Sequence, residues 1–238
     1  MLWKLARSLA AVRAKADFAR IDYNFYVDWE KAAPDGEPGR VRIVARPRGS
    51  PLDKLVSELM IFVNSTWGKL LADAGVAGLY RTQSNGKVKM SVRPGEHQGL
   101  GVAHYLWSSS PLRRYCDLVN QRQLLAVLDG AKPPYGEGDA ELYAALTDFE
   151  ATYAAYGEFQ SRMEHYWCLR WLLQEQVTEI AAAVIRENFV RCRDLPLVVR
   201  LADMPPLPQD AEVRVAIGRI DLLAATVETR YAGEPGAS

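Results

Sequence analysis

Apolar and polar positions follow two periods along this chain, and the dominant period changes near residue 176. Up to that point, apolar residues recur every three or four positions over 2–20, 52–74, 111–128 and 139–175, which predicts four helices. Beyond it, and in a few earlier stretches, alternation with period two predicts short strands. These strands are predicted at 21–27, 40–45, 88–92, 177–187, 197–201, 212–217 and 224–230.

The order of these elements predicts an α+β protein. Residues 1–175 combine long helices with a mixed β-sheet, and a turn cluster at 33–39 joins the first two strands into a hairpin. Residues 176–231 are predicted to form a short β domain. Residues 232–238 are small and polar, and we expect them to be a disordered tail.

The helix over 52–74 contains two polar residues among apolar neighbours. Its predicted core stripe is Leu52, Val56, Leu59, Val63, Trp67 and Leu70. Glu58 and Asn64 have apolar residues at helical neighbour positions, so each needs a hydrogen-bonding partner if it is buried. Two alternatives stay open: either Glu58 pairs with an arginine and Asn64 bonds to backbone in the core, or both serve a binding site.

Residues 97–122 contain the highest concentration of candidate binding residues in the chain. Serine followed by proline predicts a helix N-terminus, with Ser110 as the cap and Pro111 as the first helical residue. Arg113 and Arg114 then lie in the first turn, where the helix dipole disfavours cations but where N–H groups and guanidinium groups converge on an anion. A phosphate site is therefore predicted, with an Arg113–Asp117 ion pair within the helix as the simpler alternative.

Composition narrows the chemistry further. The 238 residues carry no net charge and the pI is about 6.8, so nucleic-acid contact would depend on local arginines and not on a global positive field. Cys116, Cys168 and Cys192 are far apart, which argues against a zinc site and a disulfide framework and fits a reducing cytoplasm. No apolar run is long enough for a signal peptide or a membrane span.

One stretch also resembles a known family. The string Ser110-Pro-Leu-Arg-Arg-Tyr-Cys-Asp-Leu118 resembles the S-P-[IL]-R-[RK]-Y-x-D-[LM] signature of the ribonuclease II/ribonuclease R catalytic domain, the RNB domain. His97-x-Gly-Leu-Gly101 also fits this family. Leu55 to Asn64 resembles its L-V-E-E-x-M-x-x-A-N segment, and Gly78 to Arg81 resembles P-x-[IL]-[YF]-R without the proline.

The resemblance implies a fold and an activity. It identifies residues 1–175 as the C-terminal half of an RNB-type catalytic domain and residues 176–231 as a small OB-like module. It implies a Mg²⁺-dependent 3′→5′ exoribonuclease that degrades single-stranded RNA to nucleoside monophosphates. Arg113 would stabilise the scissile phosphate, and Glu58 would lie near the 3′-terminal nucleotide. Further RNA contacts are expected from Asn64, Arg81, His97, Tyr105, Ser109, Ser110, Arg114, Tyr115 and Asp117.

The chain departs from the family in its carboxylates. The family binds its metal through a D-x(5)-D-x-D-D segment, and no such segment occurs in these 238 residues. No metal ligand is therefore predicted, and the expected partners are single-stranded RNA and a missing N-terminal half or partner chain, without a membrane. The alternative function is a catalytically incomplete RNA-binding or structural fragment. For Tyr105 and Trp107, stacking on a base and packing beneath the loop both stay open.

Overall fold

A computed structural model describes residues 1–13 and 21–234 of the chain. The four predicted helices are present, although the third begins later than predicted and residues 14–20 of the first lie outside the described ranges. The helices are α1 (Leu2–Val12), α2 (Pro51–Asp73), α3 (Tyr115–Leu128) and α4 (Ala140–Gln174).

Within the described ranges, the strands are β1 (Ile21–Ala32), β2 (Pro38–Pro47), β3 (Tyr80–Ser84), β4 (Lys87–Ser91), β5 (Glu179–Arg186), β6 (Phe189–Cys192), β7 (Val198–Arg200), β8 (Glu212–Asp221) and β9 (Thr226–Tyr231). The sequence pattern missed β3 and β6. Every pairing between these described strands is antiparallel, so the predicted mixed sheet is wrong. Parallel strands need long crossover connections, whereas most of these strands are joined by short turns.

The chain divides into two compact units. The first unit consists of Met1–Ala19 and Arg48–Tyr156, and the second consists of Arg20–Pro47 and Gly157–Ser238. The division falls within α4 and differs from the domain boundary predicted at residue 175, which stays a prediction. The predicted tail lies partly outside the described residues, which end at residue 234.

The second unit contains the β1–β2 hairpin and a five-stranded sheet in the order β7-β6-β5-β8-β9. Its core consists of Leu169 and Leu172 of α4 packed with inward-facing valines of the sheet and with leucines of the segments that flank β7, and Phe25 and Ile43 of the hairpin pack against it. The two edge strands of the sheet approach each other, because the Thr229 hydroxyl of β9 donates to the Arg200 carbonyl of β7 at 3.1 Å.

An ion pair between the buried Arg170 and the exposed Asp35 of the second unit predicts a pH effect on stability. The Arg170 guanidinium bonds both carboxylate oxygens of Asp35, at 2.6 and 3.2 Å, and lowers the pKa of Asp35 below its usual value of 3.8. A carboxylate with a lowered folded pKa stabilises the protein above its unfolded pKa, and that contribution is lost as the pH falls through the folded pKa. We expect Asp35→Asn to lower the urea midpoint at pH 7 and to reduce its dependence on pH below about 4. An unchanged midpoint at pH 7 would contradict this expectation.

The first unit contains α1, α2, α3, the β3–β4 hairpin and the first part of α4. Helix α2 begins as the local chemistry dictates: the Ser50 hydroxyl accepts from the Asp53 amide at 3.2 Å, and Pro51 follows the cap. Its buried face is Glu58, Asn64, Gly68 and Leu71. The predicted apolar stripe is therefore wrong at its start, since Leu52 and Val56 are 74% and 53% exposed.

Two predicted absences concern membranes and disulfides. In the described part of the chain, no helix is both long and apolar enough to cross a membrane. The three cysteines are free and buried. Burial raises the pKa of the Cys116 and Cys168 thiols to about 12, so both remain protonated at neutral pH.

Candidate nucleic-acid interface

The signature residues form a loop that precedes α3. We call residues 105–114 the site loop. The predicted helix start is wrong: the Ser110 carbonyl accepts from the amides of Arg113 and Arg114, at 3.2 and 3.1 Å, which closes a separate turn. Helix α3 begins only at Tyr115, with Arg114 as an extended N-cap residue. Arg113 therefore lies on a turn outside the helix and not in its first turn.

A carboxylate of α3 holds this turn in place. Asp117 is fully buried, and its Oδ1 accepts from the Ser110 amide at 2.7 Å. Arg114 donates to both carboxylate oxygens at 2.8 Å, from Nε and from one terminal nitrogen. The predicted Arg113–Asp117 ion pair is wrong, because Arg114 takes the partner position. The carboxylate thereby fixes the turn against the N-terminal end of α3.

Asn64 of α2 holds the middle of the site loop. Its side-chain oxygen accepts from the amide and the hydroxyl of Ser108, at 3.3 and 3.0 Å. Its side-chain nitrogen lies 3.4 Å from the Tyr105 hydroxyl and 3.5 Å from the Ser109 hydroxyl. Asn64 is fully buried, so it satisfies loop groups that water cannot reach. Its place on the buried face of α2 follows from these contacts.

Helix α3 supplies further loop contacts that sequence reasoning missed. The Asn120 side chain donates to the carbonyls of Trp107 and Leu79, at 2.7 and 3.0 Å, and accepts from the Leu79 amide at 2.7 Å. Gln121 donates to the Ser108 carbonyl at 2.7 Å. The available signal was the group of polar residues at positions 117, 120, 121 and 123 among the apolar residues of this helix. Leu125 and Leu128 of the same helix are 58% and 68% exposed, so they lie outside the core.

Aromatic rings pack beneath the site loop. Tyr105 and Trp107 are 6% and 8% exposed, so their packing role holds. The guanidinium carbons of Arg114 and Arg81 lie 4.2 and 4.7 Å from the Trp107 ring centroid. His97 is buried against the edge of Tyr105, and both of its ring nitrogens lack a hydrogen-bond partner. Burial first, and then the charge of Arg81, lower the pKa of His97, which keeps it neutral at physiological pH.

The outer surface of the loop is formed by Ser109, Leu112, Arg113 and Tyr115, all exposed. The Arg113 side chain has no hydrogen bond or ion pair with any described residue, so its donors face solvent. Tyr115 is 55% exposed, and a hydrogen bond with Tyr135 raises the pKa of its hydroxyl. The structure thus brings an unpaired guanidinium, a hydroxyl and an aromatic ring to one exposed segment, which is a chemistry suited to phosphate and base contacts.

Glu58 lies in a separate part of the first unit. It is 4% exposed and forms an ion pair with Arg13, which also donates to the Leu100 carbonyl at 2.7 Å. The pairing with an arginine confirms one of the two predicted alternatives. Its second oxygen, Oε2, has no hydrogen-bond partner. Glu58 also lines a cavity of about 410 Å³ together with His104, whose buried Nδ1 is likewise unpaired.

The carboxylates of the site do not fit a divalent metal. Glu58 pairs with Arg13, and the Asp117 carboxylate accepts from Ser110 and Arg114. A hard cation needs several oxygen ligands that are free to coordinate it. Across residues 1–13 and 21–234, no group of three or more His, Cys, Asp or Glu residues is arranged to hold a metal ion. We therefore assign no metal ligand among these residues.

Comparison with known proteins finds a family model that matches this loop. A family model described as the RNB domain matches residues 84–130, which include the whole site loop. Exoribonuclease 2 of Aeromonas hydrophila is 50% identical over 44 residues, which are 18% of this chain and 6% of that protein. The chain thus spans a small part of this relative's length.

Solved structures extend the likeness to the fold. Dss1 exoribonuclease from Candida glabrata aligns with a TM-score of 0.76 and 19% identity, over 98% of this chain and 35% of that chain. RNase R from Mycoplasma genitalium, in complex with ribose-methylated single-stranded RNA, aligns with a TM-score of 0.73 and 15% identity, over 96% and 48% of the two chains. The resemblance predicted from the sequence is thus confirmed: residues 84–130 of this chain match the RNB domain, and its fold is similar to that of solved exoribonuclease structures.

Proposed function

We propose that this chain takes part in the 3′→5′ hydrolysis of single-stranded RNA, with Arg113 as the residue that binds the scissile phosphate. The observation that carries the proposal is an exposed guanidinium, without a partner among the described residues, on a turn that is closed and held by the hydrogen bonds of the Ser110 carbonyl and amide. A fixed backbone with a free cation pre-organises a phosphate contact, since little ordering is left for the moment of binding. Relatives named as exoribonucleases support this reading.

The exposed neighbours of Arg113 complete the proposed RNA contact. The Ser109 hydroxyl can bond to a phosphate oxygen, and the Tyr115 ring can contact a base or ribose. Glu58 is proposed to meet the 3′-terminal nucleotide, because its unpaired Oε2 in a cavity can accept from a ribose hydroxyl. The RNA contacts predicted for Asn64, Tyr105 and His97 would be indirect, since these residues are buried beneath the loop.

The proposal requires metal-binding carboxylates from outside the described residues. In this family a divalent ion, proposed here as Mg²⁺, would activate the attacking water. We propose that a further polypeptide segment or partner chain supplies its ligands, since the described carboxylates do not. The same observation favours a second candidate function, in which this chain binds RNA without hydrolysing it.

The sheet of the second unit is proposed to be an OB-like module. Its strand order and the bond between its edge strands resemble a partly open five-stranded barrel. Residues 1–175 are correspondingly proposed as the C-terminal half of the RNB domain. A cytoplasmic location stays a prediction.

The two candidate functions are separated by one assay. A 5′-labelled oligoadenylate is incubated with Mg²⁺ and this chain, joined to the segment or partner chain that supplies the metal-binding carboxylates, with EDTA and the equivalent DNA as controls. The exoribonuclease proposal expects stepwise shortening from the 3′ end and release of AMP, slower after Glu58→Gln in this chain. Retained binding without shortening would favour the RNA-binding candidate. The absence of both shortening and binding would contradict both candidate functions.

A further inference from the structure

We propose that Arg114, Asp117 and Trp107 form a positioning brace for the site loop, and that Arg113 alone of the two adjacent arginines meets phosphate. The inference rests on the proposed function and deepens it. It assigns different roles to the two adjacent arginines of the signature. Arg113 binds phosphate, and Arg114 helps to orient Arg113.

The environment of Arg114 differs from that of a phosphate ligand. Its side chain is 12% exposed, and its Nε and one terminal nitrogen are bonded to the Asp117 carboxylate. Its guanidinium carbon lies 4.2 Å from the Trp107 ring centroid. The bidentate bond neutralises the charge and fixes the plane of the guanidinium, while the indole covers it. Arg113, by contrast, is exposed and has no side-chain partner among the described residues.

Asp117 transmits this arrangement to the turn. The oxygen that accepts from Arg114 NH2 also accepts from the Ser110 amide at 2.7 Å. The Ser110 carbonyl in turn accepts from the Arg113 amide at 3.2 Å. A chain of bonds therefore runs from the buried carboxylate through Ser110 to the backbone of Arg113. Movement of Asp117 would therefore shift the backbone of Arg113 and, with it, the Arg113 side chain.

Trp107 provides the aromatic ring against which the Arg114 guanidinium packs. It is 8% exposed, its carbonyl is held by Asn120 at 2.7 Å, and its ring contacts the edge of Phe149. Arg81 on β3 approaches the same indole, at 4.7 Å from the centroid. The indole is thus fixed by several elements of the first unit, and it limits where the Arg114 guanidinium can lie.

The first test needs no RNA. Hydrogen exchange is measured at the Ser110 amide in the free protein. The brace predicts a protected amide in the wild-type chain and at least tenfold faster exchange in Arg114→Lys, because lysine cannot form the planar bidentate contact. Lys31→Gln, which removes an exposed i,i+3 ion pair with Asp28, is the matched control and should leave Ser110 unchanged. Equal exchange in wild type and Arg114→Lys would overturn the brace.

The second test is a double-mutant cycle on affinity for single-stranded oligoadenylate. Arg114→Lys is expected to weaken binding about tenfold alone, but by less than about twofold when added to Arg113→Gln, because it acts through Arg113. A lysine that contacted phosphate directly would retain most of the affinity, and losses that add in the double variant would show an independent contact. Either result would overturn the inference.

The two readouts also separate the brace from the proposed function. If the wild-type chain fails to bind RNA while protection of the Ser110 amide depends on Arg114, the proposed function is wrong and the brace is still supported as a contact that holds the loop.

Melting temperatures are recorded for each variant. If Arg114→Lys does not fold, Trp107→Phe replaces it, since phenylalanine is a weaker partner for a guanidinium and should speed Ser110 exchange about threefold. Unchanged exchange in that variant would count against the brace.

Discussion

Exchange of Arg113 for glutamine is expected to lower the release of 3′-terminal nucleotides by about 10²–10³-fold, the cost typical of removing one pre-organised charge-stabilising donor. The side chain is exposed and has no partner among the described residues, so the change removes its charge without removing a structural contact. The melting temperature should therefore stay within about 1–2 °C of the wild-type value. A loss of rate at an unchanged melting temperature would assign the effect to the proposed phosphate contact.

The affinity for single-stranded RNA gives an independent measurement of the same prediction. Loss of one phosphate contact should reduce the slope of log affinity against log salt concentration by about 0.7. Arg40→Gln is the matched control, because Arg40 is an exposed arginine on β2. Equal losses in both variants would indicate a general charge effect, and an unchanged rate and slope in Arg113→Gln would contradict the proposed phosphate contact.

The second large effect is expected on stability, at Asn120. Leucine in its place would leave the Leu79 amide, the Leu79 carbonyl and the Trp107 carbonyl without their present partner. Each buried polar group left unpaired costs roughly 1–3 kcal/mol, so Asn120→Leu should lower the free energy of unfolding by at least about 3 kcal/mol. For a protein of this size the melting temperature should fall by about 6–12 °C.

Gln160→Leu is the matched control for this stability prediction. Gln160 is exposed on α4, and its side chain donates to Glu164 of the same helix at 2.9 Å. Its exchange should change the free energy of unfolding by no more than about 0.5 kcal/mol. A loss at Asn120 that is no larger than this would show that the site loop does not depend on the buried amide.

Two serine–proline pairs show how far local sequence preferences predict where a helix begins. Ser50-Pro51 caps α2, as residue preferences favour. Ser110-Pro111 has the same local chemistry but begins an isolated turn, and α3 starts five residues after Ser110. The difference arises from Asp117, which bonds to the Ser110 amide and to Arg114. Local preference was overridden by a buried carboxylate whose partners are known only from the folded chain.

The buried face of α2 shows the same limit in a helix. Periodicity predicted the helix correctly, but it assigned the core to the strongest apolar stripe. The structure buries Glu58, Asn64 and Gly68. The main-chain amide of Ser108 and the side chains of the site loop need hydrogen-bonding partners, and Asn64 provides them. The hydrophobic pattern of the helix cannot predict this requirement for hydrogen-bonding partners, because the requirement depends on which loop packs against the helix.

The sequence by itself determined the helices, most of the strands, the family resemblance and the place of Arg113 in it. Periodicity and motif spacing are local properties of the chain, so no tertiary information was needed for them. Only the tertiary structure decided that the described strands pair antiparallel, that Arg114 and not Arg113 pairs with Asp117, and that Arg113 has no partner among the described residues. These outcomes depend on which buried polar groups meet across helices and loops, and each such group takes the partner that the fold brings within hydrogen-bonding distance.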